Sequence, residues 1–301
     1  EMMMGQREQK KCRRGKVVLL SPLRYPGAKR RLVSVIREAL DDHKPVSLFV
    51  EPFAGGASVS LQLLADGIVE RIGLADRDPL ISAFWQTVFW DSDWLIGQVE
   101  RTPVTMKAWR KWKNTDPRTR RESALKCLFL NRTSFSGILA PSGGPIGGQE
   151  QRSKYSLDCR FPRETLVRRI SQIANFSDRV AFVWGWSYQR AISEISKGSH
   201  ARSDQTYFYF DPPFFKKADR LYRFWFSEAD HTRLRDVLTE LKSPWMLSYD
   251  DAEEVTRFYG NLLPRLHPNM LYTSSYGSDA RGPASEVLLL NLDRVEGRCL
   301  V

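Results

Sequence analysis

The 301-residue sequence predicts an α/β protein, a parallel sheet covered by helices and interrupted in its middle third by a basic, mainly helical insertion. Three observations carry this prediction. Short apolar runs of strand length alternate with helical stretches in the first and last thirds of the chain. Between about residues 90 and 180 that alternation gives way to Trp, Arg and Lys at helical spacing. A hydrophobic content of 42% supplies enough apolar surface for a sizeable core.

Residues 1–16 are polar and basic, with Lys10, Lys11, Arg13, Arg14 and Lys16, and read as an N-terminal arm. Ser47-Leu48-Phe49-Val50-Glu51 reads as the first strand, stopped by Pro52, Gly55 and Gly56, with a helix expected from about Ala57 to Ala65. A second run, Arg71 to Ala75, ends in Asp76 and leads into a helix carrying Leu80, Ile81, Phe84 and Val88. Two βα units in series are the pattern of a parallel sheet. Within the insertion, Ala124 to Leu130 has helical periodicity, and a Gly-, Pro- and Ser-rich loop runs from about Ser136 to Tyr155. Strands resume at Val180 to Trp184, Thr206 to Phe210, Trp245 to Tyr249 and Glu286 to Leu290, and Asp230 suits the N-cap of a helix carrying Leu234, Val237, Leu238 and Leu241. The resulting division is a basic arm (1–16), a sheet domain in two pieces (17–91 and 179–301) and the insertion (92–178).

The formal net charge of +11 points to a polyanionic partner, because neutralising phosphates releases condensed counterions. From Ser92 to Asp178 there are 16 Lys and Arg against 8 Asp and Glu, so +8 of that charge sits in the insertion. Cys12, Cys127, Cys159 and Cys299 lack the spacing of a disulfide framework or a zinc site, and no metal is expected. No run approaches the roughly 20 apolar residues that span a bilayer, and Glu1-Met2-Met3-Met4 lacks the apolar core of a secretion signal, so a cytoplasmic location is expected.

Three features carry chemistry. The Gly-rich turn after Glu51 lets a ligand approach backbone closely at a helix N-terminus. Asp76 stands where doubly wound nucleotide-binding folds often place an acid for ribose hydroxyls. The most specific is Asp211-Pro212-Pro213-Phe214, a carboxylate, two rigid prolines and an aromatic ring at the carboxyl edge of a strand. An exocyclic amine on a base is a poor nucleophile because its lone pair is delocalised into the ring. Acceptors at the amine hydrogens, from the Asp211 carboxylate and the Pro212 carbonyl, localise that pair for attack on a sulfonium methyl, while Phe214 stacks on the base. Such a site takes a base extruded from the stack.

In order along the chain, these segments resemble the Dam-like D12 class of adenine-N6 DNA methyltransferases. Leu23-Arg24-Tyr25-Pro26-Gly27-Ala28-Lys29 resembles the N-terminal cofactor motif, Phe49 to Ser58 the Gly-rich motif, and Leu74 to Asp78 the ribose-binding acid. Asn131-Arg132-Thr133-Ser134-Phe135-Ser136-Gly137 is similar to a segment that lies on DNA, and Asp211 to Phe214 to the catalytic tetrapeptide. Asp230 to Leu234, Met246 to Ser248 and Glu286 to Leu289 also match, so the resemblance spans about residues 23–292.

The resemblance implies a Rossmann-like S-adenosylmethionine-dependent methyltransferase sheet with an inserted target-recognition domain, acting on double-stranded DNA in a bacterium or phage. It implies catalytic roles for Asp211, Pro212 and Phe214, and assigns Tyr25, Lys29, Glu51, Phe53, Gly55, Asp76 and Asp211 to S-adenosylmethionine. Arg132 and Phe135 fall in its DNA-contacting segment. Lys111 and Lys113 join them on a stretch where Trp109 and Trp112 alternate with cations, a pattern that suits either a phosphate-contacting face or a core-facing stripe. The chain departs from many relatives at Phe214, where Tyr is common, at Ser136, where Asn is common, and at Trp186, near which an acid is common. N4-cytosine methylation would use the same amine chemistry, and a non-catalytic DNA-binding relative is the other alternative. C5-cytosine chemistry needs a cysteine, normally after proline, and the chain has no Pro-Cys.

Overall fold

The computed structural model describes residues 18–24, 29–198, 205–215, 223–249, 252–260, 269–274 and 285–292. The basic arm, Tyr25, Cys12 and Cys299 lie outside the described residues.

Seven strands form one sheet: β1 (Val46–Glu51), β2 (Val69–Ala75), β3 (Val180–Trp184), β4 (Thr206–Phe210), β5 (Trp245–Tyr249), β6 (Asn269–Ser274) and β7 (Ser285–Asn291). Their order is β3-β2-β1-β4-β5-β7-β6. The first five run parallel, and β7 is antiparallel to both β5 and β6. All five residues of β4 and of β5 are buried, because helices cover both faces of a parallel sheet. Alternation sorts the side chains: Phe49, Tyr207, Tyr209, Met246 and Leu288 enter one apolar cluster, and Val50, Phe208, Phe210, Leu247 and Leu289 the other.

The first cluster includes α1 (Val33–Leu40), α2 (Ser58–Ala65) and α3 (Pro79–Trp90), and it continues without a break into the four helices between β2 and β3 that follow α3. These are α4 (Ser92–Arg101), α5 (Met106–Asn114), α6 (Arg120–Thr133) and α7 (Arg163–Ala174). Leu95, Val99, Leu128, Phe129, Leu166 and Ile170 from these helices belong to the same cluster as Phe84, Trp85, Val88 and Phe89 of α3. The second cluster is covered by α8 (Tyr188–Lys197), α9 (Glu228–Glu240) and α10 (Ala252–Tyr259).

Two local expectations change. The helix carrying Leu234 begins at Glu228, and its N-cap is Ser227. Asp230 sits at the third helical position and returns its carboxylate to the Ser227 backbone, a capping box that satisfies two orphan N–H groups where a lone cap satisfies one. Strand β6 was not expected, because Asn269, Thr273 and Ser274 dilute the apolar signal; its pairing with β7 is what makes it a strand.

Candidate active site

Sheet order reverses between β1 and β4: from β1 the chain moves outward through β2 and β3, then returns to build β4 on the other side. The carboxyl ends of strands at such a reversal leave a crevice between diverging connections. A cleft opens there, lined among others by Lys29, Glu51, Asp76, Tyr188, Asp211 and Arg223.

One wall is the Gly-rich turn. Gly55 takes φ 42°, a left-handed conformation open to Gly, and Ala57 follows at φ 49°, which costs an L-residue roughly 1 kcal/mol. Asp76 holds this turn against β2: its Oδ2 accepts the Gly55 N–H at 2.9 Å and its Oδ1 the Asp78 N–H at 2.8 Å. The Trp85 indole donates to the Gly55 carbonyl at 2.8 Å from behind. Glu51, at the end of β1, is buried and accepts the Ser60 hydroxyl at 2.5 Å. Burial, opposed by the Ser60 hydroxyl and reinforced by the Asp211 charge, pushes Glu51 up to about 8. Burial first, then the charge of Asp78, pushes Asp76 up to about 7 against the two backbone donors.

The opposite wall is the turn after β4. Asp211 Oδ1 accepts the Ser248 hydroxyl at 2.8 Å, and the Ser248 Oγ lies 2.8 Å from the Tyr209 hydroxyl. Neighbouring strands β4 and β5 thus set the carboxylate's orientation. Lys29 is buried, with its Nζ 3.7 Å from Asp211 Oδ1 and 5.4 Å from the Phe214 ring centre. Pro212 is buried, and the neighbouring Pro213 faces the cleft. Phe215 anchors the turn by stacking on His231 at 4.1 Å beside Tyr249 and Phe258. Burial pushes His231 down to about 4, so near neutral pH that ring is an uncharged stacking partner.

The floor is aromatic. Phe53 lies 5.4 Å from Tyr188 and 5.6 Å from Phe226 between ring centres. Arg223 crosses to Asp78 at 2.6 Å, bringing Phe224 and Phe226 to the cleft. Arg223, Phe224 and Phe226 were not foreseen, and their one sequence signal is the Arg-Phe-Trp-Phe run shortly after the tetrapeptide; Tyr188 and Gln189 were assigned no role and follow directly on Trp186, where the resemblance marks a departure. Trp186 turns instead onto Trp184 at 4.5 Å and lies under Arg190 at 4.0 Å, so Ser187, Tyr188 and Gln189 face the cleft in its place.

The residues expected on DNA divide. Phe135 is 68% exposed and presented by a tight turn in which its N–H bonds the Gly144 carbonyl at 2.9 Å. Lys111 is exposed. Lys113 is a staple: its Nζ donates to the carbonyls of Ala140 at 3.0 Å and Gly143 at 2.7 Å. Trp109 is core, with its indole N–H on Ser134 at 3.3 Å, which settles the Trp stripe in favour of packing there. Arg132 is only 6% exposed.

An open parallel sheet with carboxylates gathered at its switch point defines an α/β enzyme built to take a nucleotide-like ligand. The family described as D12 class N6 adenine-specific DNA methyltransferase matches residues 25–273, and the chain belongs to that family. It is accordingly an enzyme that methylates adenine N6 at specific sites in DNA, and the family implies S-adenosylmethionine as the methyl donor. No curated protein matches the chain. Among the described residues, no helix is long and apolar enough to cross a membrane.

Proposed function

We propose that the cleft holds S-adenosylmethionine together with an adenine flipped out of double-stranded DNA, and that residues 92–178 form the domain that recognises the target. The observation that carries this reading is the meeting of Lys29, Glu51, Asp76 and Asp211, from four distant segments, around one cleft. Its donor set suits S-adenosylmethionine. The carboxylate of Asp211, and that of Glu51 once a bound cation draws off its proton, complement its cations, Lys29 its carboxylate, Asp76 its ribose diol, and the rings of Phe53, Tyr188 and Phe226 its apolar surface.

When bound, S-adenosylmethionine supplies an electrophilic methyl group. Asp211, oriented by Ser248 and Tyr209, and the Pro212 carbonyl accept the hydrogens of the adenine N6 amine and localise its lone pair toward that methyl. Phe214 stacks on the extruded base, and Lys29, with its Nζ 3.7 Å from Asp211 Oδ1, sits beside that carboxylate. Phe135, Arg132 and Lys111 approach the DNA; Tyr25 completes the cofactor contacts in this reading.

The test is methyl transfer from labelled S-adenosylmethionine to mixed-sequence duplex DNA, with nucleoside analysis of the product. N6-methyladenine is expected, and Asp211→Ala is expected to slow single-turnover transfer about 10³-fold. N4-methylcytosine as product, or transfer that survives Asp211→Ala, defeats this assignment of roles.

A further inference from the structure

Among the described residues, the helical segment buries a cation with no counter-ion. Arg132 lies in the last turn of α6, is 6% exposed, and its Nε has no hydrogen-bond partner. Among the described residues no carboxylate pairs with Arg24, Arg132 or Arg160. The charges that bear on Arg132 are Arg169, Arg24 and Arg160, and these, after burial itself, push its guanidinium down to about 10. Arg24 is pushed down by its own burial and by Arg160.

This gathering is built into the fold. Asn131 clamps the Arg24 backbone, accepting its N–H at 2.7 Å and donating to its carbonyl at 2.7 Å, while the same amide donates to the Gly137 carbonyl at 2.9 Å. Gly137 takes φ 75°, and a Cβ there would lie 2.3 Å from the Arg24 carbonyl, so the turn that presents Phe135 is seated directly on Arg24. Arg169 Nη1 donates to the Ser21 carbonyl at 3.0 Å, tying α7 to the same segment. Burying guanidinium groups among like charges opposes folding unless an anion completes the set, and the planar guanidinium fork matches a phosphate.

We propose that Arg24, Arg132, Arg160 and Arg169 form a pocket for one backbone phosphate of the DNA, beside the exposed Phe135. This rests on the reading of the chain as a DNA methyltransferase. Arg24 stands five residues before Lys29, so at most about 18 Å of chain separates the pocket from the cleft. At about 3.4 Å per nucleotide along one strand, the phosphate lies within roughly five nucleotides of the target adenine.

The experiment is binding of mixed-sequence duplex DNA by the full chain at 50 to 200 mM salt, followed by fluorescence anisotropy, with thermal melting of the same samples. Arg132→Gln and Arg160→Gln are each expected to flatten the plot of log affinity against log salt by about one unit. Because each substitution relieves repulsion, neither is expected to lower the melting temperature. Arg160 is exposed, so its variant keeps the proposal falsifiable if Arg132→Gln misfolds. An unchanged slope in Arg160→Gln overturns the pocket. Inorganic phosphate separates the sources: a rise in the wild type's melting temperature that Arg132→Gln loses, together with flattened slopes in the variants, supports a DNA phosphate in the pocket, whereas a rise alongside unchanged slopes assigns free phosphate and overturns the proposal. Methyl transfer by the wild type is recorded in parallel. Its absence alongside a flattened slope strikes the enzymatic reading and leaves the pocket standing.

Discussion

In the cleft, burial pushes Glu51 up to about 8 and Asp76 up to about 7, whereas across the first cluster, in the helices after α3, burial pushes Arg132 down to about 10. Both regions bury ionisable groups of one kind, carboxyls in the cleft and guanidiniums in the helices, and in each burial disfavours the charged form. Lys29 answers Asp211 in the cleft, and Asn131 and Ser21 offer side-chain and backbone dipoles near the arginines. The difference in sign follows the proposed ligands, a cationic methyl donor on one side and a polyanion on the other. Charge placed this way lowers the stability of the free protein and raises affinity for the partner that completes it.

The contrast breaks most readily at Asp76. Asp76→Asn sets an amide donor against the N–H of Gly55 or Asp78, disorganising the Gly-rich turn. The affinity for S-adenosylmethionine is expected to fall about tenfold or more by calorimetry, with the salt slope of DNA binding unchanged. Equal affinity would detach Asp76 from the cofactor.

A smaller effect is the pH dependence of the free protein. Glu51, Asp76 and Asp78 all have folded-state values raised above their ordinary ones, so their protonated forms are favoured by folding. Their contribution is full below about pH 4 and is lost as pH rises through 7 and 8. Melting temperature is expected to fall by several degrees between pH 6.5 and 8.5, a window above the titration of His231. A flat or rising profile there shows that the cleft carboxylates are not held protonated by burial.

The smallest effect separates two neighbouring lysines. Lys113→Ala removes two hydrogen bonds to loop carbonyls and is expected to cost about 1 kcal/mol, or roughly 2–4 °C in melting temperature. Lys111→Ala should leave melting unchanged and weaken DNA binding slightly at low salt. Reversed behaviour would make Lys113 the phosphate contact and Lys111 the structural residue.

Much of the sheet was legible because strands buried on both faces are written as apolar runs, as Thr206 to Phe210 shows. The tetrapeptide was legible for a different reason: its chemistry needs a carboxylate, rigid backbone and an aromatic ring as consecutive residues. Other parts of the site had no such local signature. Ser248 and Tyr209 meet Asp211 only because β5 pairs with β4 in a particular register, with Tyr209 opposite Met246. Trp186 occupied a position suggestive of the cofactor, yet the ladder of Phe182, Trp184 and Arg190 draws it away. Lys107 to Lys113 read as alternating cations and Trp, and the core needs of α5 decided that Trp109 turns inward.

The sequence by itself determined the fold class, the residues of the acidic turn and tetrapeptide, and through them the family, because each is encoded within a few consecutive positions. Only the tertiary structure decided which distant groups orient Asp211, that Lys113 is a staple, and that Arg132 is buried where the charges of Arg24, Arg160 and Arg169 bear on it. The physical reason is that burial and Coulomb interaction depend on distances through space, and residues more than a hundred positions apart acquire those distances only when the chain packs.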